Sequence, residues 1–141
     1  MSKLFSFELH YVLYNSPKKV YEALTDASIV KKWSGSKAKI ELKPKGTFEL
    51  FDSWAQGNVI AFEKDKSFSF TWKVTEWNKK ALPSTVAITL QKHEAGTRLI
   101  LEHNDLPTAE ESDKHKQGWI AYVFDPINDF FIAELEKLAA Q

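Results

Sequence analysis

The chain has 141 residues, enough for a single domain over residues 1–141 that buries about two thirds of its unfolded surface. Its 19 Lys and Arg residues balance 19 Asp and Glu residues, so no net charge attracts nucleic acid, and we expect no nucleic-acid partner. The sequence contains no cysteine, which excludes disulfides, thiolate nucleophiles and thiolate metal ligands.

The N-terminal segment MSKLFSFELHYVLYNS alternates polar and apolar residues, unlike the continuous apolar stretch of a signal peptide. No part of the sequence approaches the roughly 20 consecutive apolar residues that a membrane-spanning helix needs. The lack of cysteine is compatible with a reducing compartment. We therefore expect a soluble cytoplasmic protein without a membrane span.

The first third of the chain is predicted to form one strand and two short helices. Apolar residues alternate over residues 4–14, which is typical of a strand with one buried face. In NSPKKVYEALT, Ser16 can cap a helix and Pro17 suits its first position, where an N–H would have no partner. Asp26 is the expected cap of a second helix, which Gly35 ends.

Residues 37–104 are predicted to form six consecutive strands, the pattern of an antiparallel meander. Turn residues separate the segments, which are KAKIELK, TFELFD, GNVIAFEK, SFSFTWKV, STVAITLQ and TRLILEHN. The first strand brings the expected total to seven.

The last third is predicted to be helical, beginning where Thr108 and Glu111 have the spacing of a capping box. Pro126 interrupts it, because proline cannot donate to the carbonyl one turn earlier. Either the helix kinks there, which we favour, or Asp125 caps a second helix. The order of elements predicts an α+β fold in which a seven-stranded antiparallel sheet covers its apolar face with the long C-terminal helix.

Several segments together resemble homologues of the activator of heat-shock protein 90 ATPase. They are SPKKVYEALTDASIVKKW, GTFELF, GNVIAFEKDKSFSFTW, STVAITLQKHEAGTRLILEHNDL and HKQGW. That family is a branch of the START and birch-pollen-allergen-like helix-grip superfamily, and the resemblance covers about residues 12–135. It implies a sheet wrapped around a long C-terminal helix, often with a cavity for a small apolar ligand.

The resemblance does not imply one activity, because proteins similar in fold include lipid carriers, hormone receptors, cyclases, dehydratases and a co-chaperone. Function has to be argued from the site. The sequence also departs from the family pattern in two places. Lys45 and Gly46 stand where a Gly-Gly pair is common, and Pro126 stands where a helix-forming residue is usual.

The alternating face of SFSFTWKV is either a packed core or the wall of a ligand pocket, and the sequence leaves both interpretations open. If the fold is a helix grip, that face and its neighbours supply the cavity candidates Phe48, Phe68, Phe70, Trp72, Leu101, His103, Trp119, Tyr122 and Phe130.

His103 is the most specific polar candidate, because it shares strand parity with apolar residues and should point inward. Asp105 would share that face if the strand continued, and the two could handle a proton or form half a metal site. The alternative is a histidine that is hydrogen-bonded at the margin of the core. Asp52 and Tyr122 are weaker candidates. We assign no metal, no cofactor and no catalytic residue.

Residues 31–45 contain six lysines and one glutamate within a neutral chain. We define the lysine patch as Lys31, Lys32, Lys37, Lys39, Lys43 and Lys45. Such a run usually keeps a surface solvated, but it could also dock an acidic partner such as a chaperone, or anionic head groups.

The sequence favours a non-enzymatic module that binds a small hydrophobic molecule. One alternative is a chaperone-interacting protein of the stress response that uses the lysine patch. The other is a cyclase or dehydratase in which His103, with Asp105 or Tyr122, faces an open cavity. We expect a monomer or a homodimer.

Overall fold

A computed structural model describes residues 4–140 of the protein. The elements in chain order are β1 (Phe5–Leu13), α1 (Pro17–Thr25), α2 (Ala27–Ser34), β2 (Lys39–Ile40), β3 (Thr47–Leu50), β4 (Ala55–Glu63), β5 (Ser67–Val74), β6 (Ser84–His93), β7 (Gly96–Leu106), α3 (Ala109–Gly118), a π-helical segment (Trp119–Phe124) and α4 (Asp125–Ala139). The predicted strand, two helices, six strands and C-terminal helix are confirmed.

The strands form one seven-stranded sheet in the order β1-β7-β6-β5-β4-β3-β2. All neighbouring pairs are antiparallel. Because β2 to β7 follow one another along both the chain and the sheet, this part is a meander, and β1 joins it at the β7 edge. The α+β helix-grip prediction is therefore confirmed.

Local signals place the first two helices. The Ser16 hydroxyl accepts a hydrogen bond from the Lys19 amide over 3.3 Å, and Pro17 occupies the first helical position. The Asp26 carboxylate caps α2 by accepting from the Ser28 amide over 2.9 Å. Gly35 ends α2 with a φ of 74°, a conformation that glycine adopts without strain.

The C-terminal helix stays helical through Pro126. Asp125 has helical backbone angles, its side chain caps no helix, and its amide donates to the Ile120 carbonyl five residues earlier. This wider turn lies directly before Pro126. Because proline has no N–H, the regular series of α-helical backbone hydrogen bonds is disrupted there. The alternative in which Asp125 caps a separate helix is wrong. Across residues 4–140, no helix is long and apolar enough to cross a membrane.

The helix is attached to the edge of the sheet by Asn128. Its side-chain amide donates to the Val12 carbonyl over 3.1 Å, and its side-chain oxygen accepts from the Tyr14 amide over 2.9 Å. The Tyr11 hydroxyl also donates to the Asp125 carboxylate. Since β1 is an edge strand, the two Asn128 bonds satisfy backbone groups that no other strand covers.

The turn between β3 and β4 has an unusual backbone. Phe51, Asp52 and Ser53 all have positive φ, at 56°, 57° and 70°, although side chains other than glycine seldom adopt this conformation in succession. The turn is held at Lys37, whose amide donates to the Asp52 carboxylate over 2.8 Å and whose carbonyl accepts from the Asp52 amide over 3.0 Å. Asp52 therefore stabilises the turn, and the turn places Phe51 beside β5.

Candidate functional site

The aromatic face of β5 is filled over most of its length. The rings of Phe48 and Phe70 stack with centroids 4.0 Å apart, and Phe68 meets Phe48 edge-on at 5.9 Å. The void left beside these rings is about 10 Å³, no more than the space of a single water, and it is lined by apolar and aromatic side chains. Phe48, Phe68, Phe70 and Leu101 are thus parts of the packed core.

A larger cavity of about 420 Å³ opens at the end of β5, between the β3–β4 turn and the C-terminal helix. Three of the predicted residues line it: Trp72 and Trp119 are buried, whereas Tyr122 is 69% exposed. Sequence patterning missed Phe51 and Trp54, which lie in or next to the strained turn and complete the aromatic walls. We call this space the aromatic cavity.

Phe130 lies away from the cavity, and the neighbouring Phe131 is the buried residue of that turn. The buried positions Trp119, Val123, Ile127 and Phe131 are four residues apart. The π-helical turn accommodates one more residue than an α-helical turn and shifts the buried face along the chain. The expectation that Phe130 faces the cavity, which assumed an ordinary helical period, is corrected for this reason.

His115 forms part of the cavity wall and was not among the predicted site residues. Its Nε2 accepts a hydrogen bond from the Trp72 indole over 3.0 Å, and its Nδ1 donates to the Glu111 carbonyl over 3.0 Å. Burial lowers the pKa of His115. The imidazole is therefore neutral with its proton on Nδ1. The sequence feature that could have identified His115 is its position one helical turn before Trp119.

His103 points inward as predicted and is fully buried. Its Nδ1 accepts from the Trp119 indole over 3.1 Å, and its Nε2 lies 2.8 Å from the Ser84 hydroxyl. That hydroxyl donates to the Trp72 carbonyl over 2.8 Å, so Nε2 is the donor to Ser84. Burial, and then the neighbouring His115, lower the pKa of His103 to about 3. The ring is neutral and contacts the cavity walls without reaching the cavity.

We define the indole–imidazole cluster as Trp72, His103, His115 and Trp119. The two indole rings lie 5.0 Å apart and the two imidazole rings 5.2 Å apart, measured between centroids. Each histidine accepts from one indole, so all four rings are fixed relative to one another. The cluster forms a rigid floor for the aromatic cavity.

Asp105 does not share the inward face with His103, contrary to expectation. The β1–β7 register shifts between Phe5 and Phe7, which leaves two residues of β7 bulged between His103 and Leu106. Asp105 lies in this bulge with a φ of 65° and is exposed, while Leu106 takes the buried position. No pair of His103 and Asp105 is formed. Among residues 4–140, no group of three or more His, Asp or Glu side chains is arranged to hold a metal ion.

Three charged side chains line the cavity: Glu76, Glu111 and Lys114. Glu76 accepts a hydrogen bond from the Trp54 indole over 2.8 Å, which lowers the pKa of its carboxyl. The Lys114 ammonium lies 3.3 Å from a Glu110 oxygen, outside the cavity lining.

The lysine patch lies on the end of α2, the following loop, β2 and the β2–β3 turn. All six side chains are exposed. Within residues 4–140, none of them forms an ion pair with a carboxylate. Their positive charges are therefore open to solvent.

Comparison with known proteins gives one family. Residues 15–131 match the family described as Activator of Hsp90 ATPase homolog 1-like protein. Activator of 90 kDa heat shock protein ATPase homolog 1 from Mus musculus is 25% identical over 116 residues, which are 82% of this chain and 34% of the mouse protein. The Hsp90 co-chaperone AHA1 from Saccharomyces cerevisiae is 30% identical over 109 residues, 70% of this chain and 30% of the yeast protein. The chain spans about a third of the length of these curated relatives.

Solved structures agree in fold. An HSP90 activator from Plasmodium falciparum superimposes with a TM-score of 0.79 at 29% identity, covering 89% of this chain and 95% of that one. A protein from Mesorhizobium loti superimposes with a TM-score of 0.78 at 22% identity, covering 92% of this chain and 98% of that one.

Proposed function

The chain belongs to the Activator of Hsp90 ATPase homolog 1-like family, and from this premise we propose that it binds a small hydrophobic molecule in the aromatic cavity. The observation that carries the proposal is an open space of about 420 Å³ with walls of Trp54, Trp72, Trp119 and Tyr122. Ligand sites are concave, largely apolar and of this size, with a few polar groups that orient the ligand.

The positions of His103 and His115 are consistent with ligand binding without catalytic turnover. A general acid or base needs a ring nitrogen within reach of the substrate. Both nitrogens of His115 are engaged, by the Trp72 indole and the Glu111 carbonyl, and His103 is sealed beneath the cavity. The cyclase or dehydratase hypothesis required His103, with Asp105, Tyr122 or both, at an open cavity. Tyr122 lines the cavity but His103 does not, so this geometry does not support the hypothesis.

A native mass spectrum of freshly purified protein, set against the mass under denaturing conditions, tests the proposal. We expect an excess mass that disappears on unfolding, or, for protein purified empty, saturable binding of the neutral dye Nile red. Gly118 lines the cavity, and a Cβ there would lie 3.9 Å from the Tyr122 ring. Gly118→Leu should obstruct the space and weaken binding, whereas Gly118→Ala should preserve it. Equal masses together with no dye binding would overturn the proposal.

A second candidate function is docking to an Hsp90-type chaperone through the lysine patch. It is favoured by six exposed lysines without ion pairs among the described residues, and by relatives that are named activators or co-chaperones of Hsp90. An acidic partner would be attracted to this surface in a salt-dependent way.

Charge reversal tests this second function. Lys37→Glu/Lys39→Glu/Lys43→Glu should weaken binding to purified Hsp90 at low salt, measured by calorimetry. Lys79→Glu/Lys80→Glu is the matched control, since both side chains are exposed outside the lysine patch. Equal affinities of the two variants, or no binding by the wild type, would exclude the patch as a chaperone site.

A further inference from the structure

The lining of the aromatic cavity carries more negative than positive charge. Glu76 and Glu111 line it together with a single cation, Lys114. The Lys114 ammonium lies 3.3 Å from Glu110, a carboxylate whose side chain is 77% exposed. Two carboxylates against one ammonium leave the lining with a net negative charge, although the Lys114 charge also acts on Glu76.

Both carboxylates are held in place at the wall. Glu76 accepts from the Trp54 indole over 2.8 Å and from the Thr75 hydroxyl over 3.1 Å, and these bonds favour its charged form. The Glu111 side chain is 24% exposed, with its Oε2 3.4 Å from Nδ1 of His115. The His115 ring accepts at Nε2 and donates at Nδ1, so it is neutral and adds no positive charge beside Glu111.

Aromatic rings surround the same space at steep angles to one another. Trp54 meets Trp72 at 79° with centroids 6.1 Å apart, and Phe51 meets Trp54 at 68° with centroids 6.2 Å apart. Rings in this arrangement present π faces in more than one direction. The face of an aromatic ring, above all that of tryptophan, attracts cations through its quadrupole.

We propose that the aromatic cavity selects a ligand whose apolar body carries an amine or quaternary ammonium cation. The body packs on Trp72 and Trp119, and the cation lies near the opening, between the Trp54 ring and the carboxylates of Glu76 and Glu111. An anionic ligand of the same shape is repelled by both carboxylates. The inference rests on the proposed function, because it names the chemistry of the ligand in that cavity.

Three probes of similar shape and different charge test the selection: phenethylamine, phenethyl alcohol and phenylpropanoate. Binding to the full chain at neutral pH is followed through the indole N–H signals in NMR spectra. We expect the affinity for the amine to be at least about fivefold higher than that for the alcohol, because a partly desolvated cation–π contact contributes a free energy of this order. We expect the carboxylate to bind most weakly.

Charge-neutral variants locate the effect. In Glu76→Gln/Glu111→Gln, the ratio of amine to alcohol affinity should fall towards one, whereas in Lys114→Gln it should rise. Glu102→Gln is the matched control, because Glu102 is exposed on β7, outside the cavity lining, and should leave the ratio unchanged.

The outcomes separate this inference from the proposed function. If none of the three probes shifts the indole signals and Nile red does not bind, the proposed function itself fails. If the alcohol binds and the amine binds no tighter, or if the carboxylate binds best, only the charge selection fails. An amine preference that persists in the Glu76→Gln/Glu111→Gln variant would also overturn the selection, since these side chains would not be its source.

Discussion

The Trp119 indole donates a hydrogen bond to Nδ1 of His103 over 3.1 Å, inside a core that excludes solvent from both side chains. Trp72 makes the equivalent bond to His115 over 3.0 Å. Each bond joins the sheet to the C-terminal helix, because Trp72 and His103 lie on strands while His115 and Trp119 lie on the helix. The indole–imidazole cluster thus fixes the helix to the sheet and forms the floor of the aromatic cavity.

Replacement of Trp119 by Phe should destabilise the protein by about 1–3 kcal/mol or more, because Nδ1 of His103 is left as a buried acceptor without a donor. Trp54→Phe is the control, since the Trp54 indole donates to a carboxylate at the surface. Its loss should cost less than that of the Trp119 indole, because water can solvate the exposed Glu76 carboxylate that is left without its donor. Urea denaturation measures both. Equal losses for the two variants would show that the bond to His103 contributes little.

The stability should fall as pH decreases from about 6.5 towards 3. The pKa of His103 is lowered from 6.5 to about 3, so in this window the unfolded state binds a proton that the folded state excludes. The contribution of neutral His103 to the free energy of unfolding is complete above pH 6.5 and is lost as pH falls towards 3. A buried neutral histidine gives a slope of about 1.4 kcal/mol per pH unit. His115, whose pKa is also lowered and which faces Glu111, Glu76 and Lys114, adds to the slope.

Urea midpoints at several pH values measure this dependence, and His103→Gln should reduce the slope. An independent measurement is the NMR titration of the imidazole signals in the wild type. The His103 ring should remain neutral at a pH where a free histidine is protonated. An imidazole of His103 that titrates near 6.5, or an unchanged slope in His103→Gln, would contradict the assigned hydrogen bonds.

Removal of the Asn128 side chain should loosen the attachment of the helix to β1. In Asn128→Ala, the Val12 carbonyl and the Tyr14 amide both lose their partner. We expect a loss of about 1–3 kcal/mol and faster hydrogen exchange at the Tyr14 amide. Asn58→Ala is the control, because the Asn58 side chain donates to the Lys45 carbonyl at the exposed side of β4. Unchanged exchange at Tyr14 would show that other contacts protect this edge.

The Lys45–Gly46 pair should respond to substitution in opposite directions. Lys45 has a φ of 65°, which costs a side-chain-bearing residue about 1–2 kcal/mol. Because glycine loses about 0.5–1 kcal/mol through chain entropy, Lys45→Gly should stabilise the protein by up to about 1 kcal/mol.

Gly46→Ala should be destabilising by about 1–3 kcal/mol, since its Cβ would lie 2.0 Å from the Glu41 carbonyl oxygen, a backbone atom that cannot move aside. Thermal unfolding of both variants measures the effects. A stabilised Gly46→Ala, or a Lys45→Gly less stable than the wild type, would contradict the described turn.

Much of the fold was predictable because its signals are local. Alternation of apolar residues predicted the strands, and Ser16, Pro17 and Gly35 mark helix ends through the chemistry of their own side chains or backbone. The predictions failed where one extra residue in a strand or helix changes which side chains face inward. The bulge at Asp105 and the π-helical turn before Phe131 are such places, and both depend on how the element packs.

The inward direction of Phe70 and Trp72 followed from the sequence alone, since both occupy the same parity of one strand. Whether that face is solid or hollow was decided by the tertiary structure. Phe70 lies opposite the Phe48 ring, which fills the space, whereas Trp72 lies beside His115 and the open cavity. The reason is physical: alternation determines which side chains are buried, but the shape of a cavity depends on the elements that long-range packing places across from them.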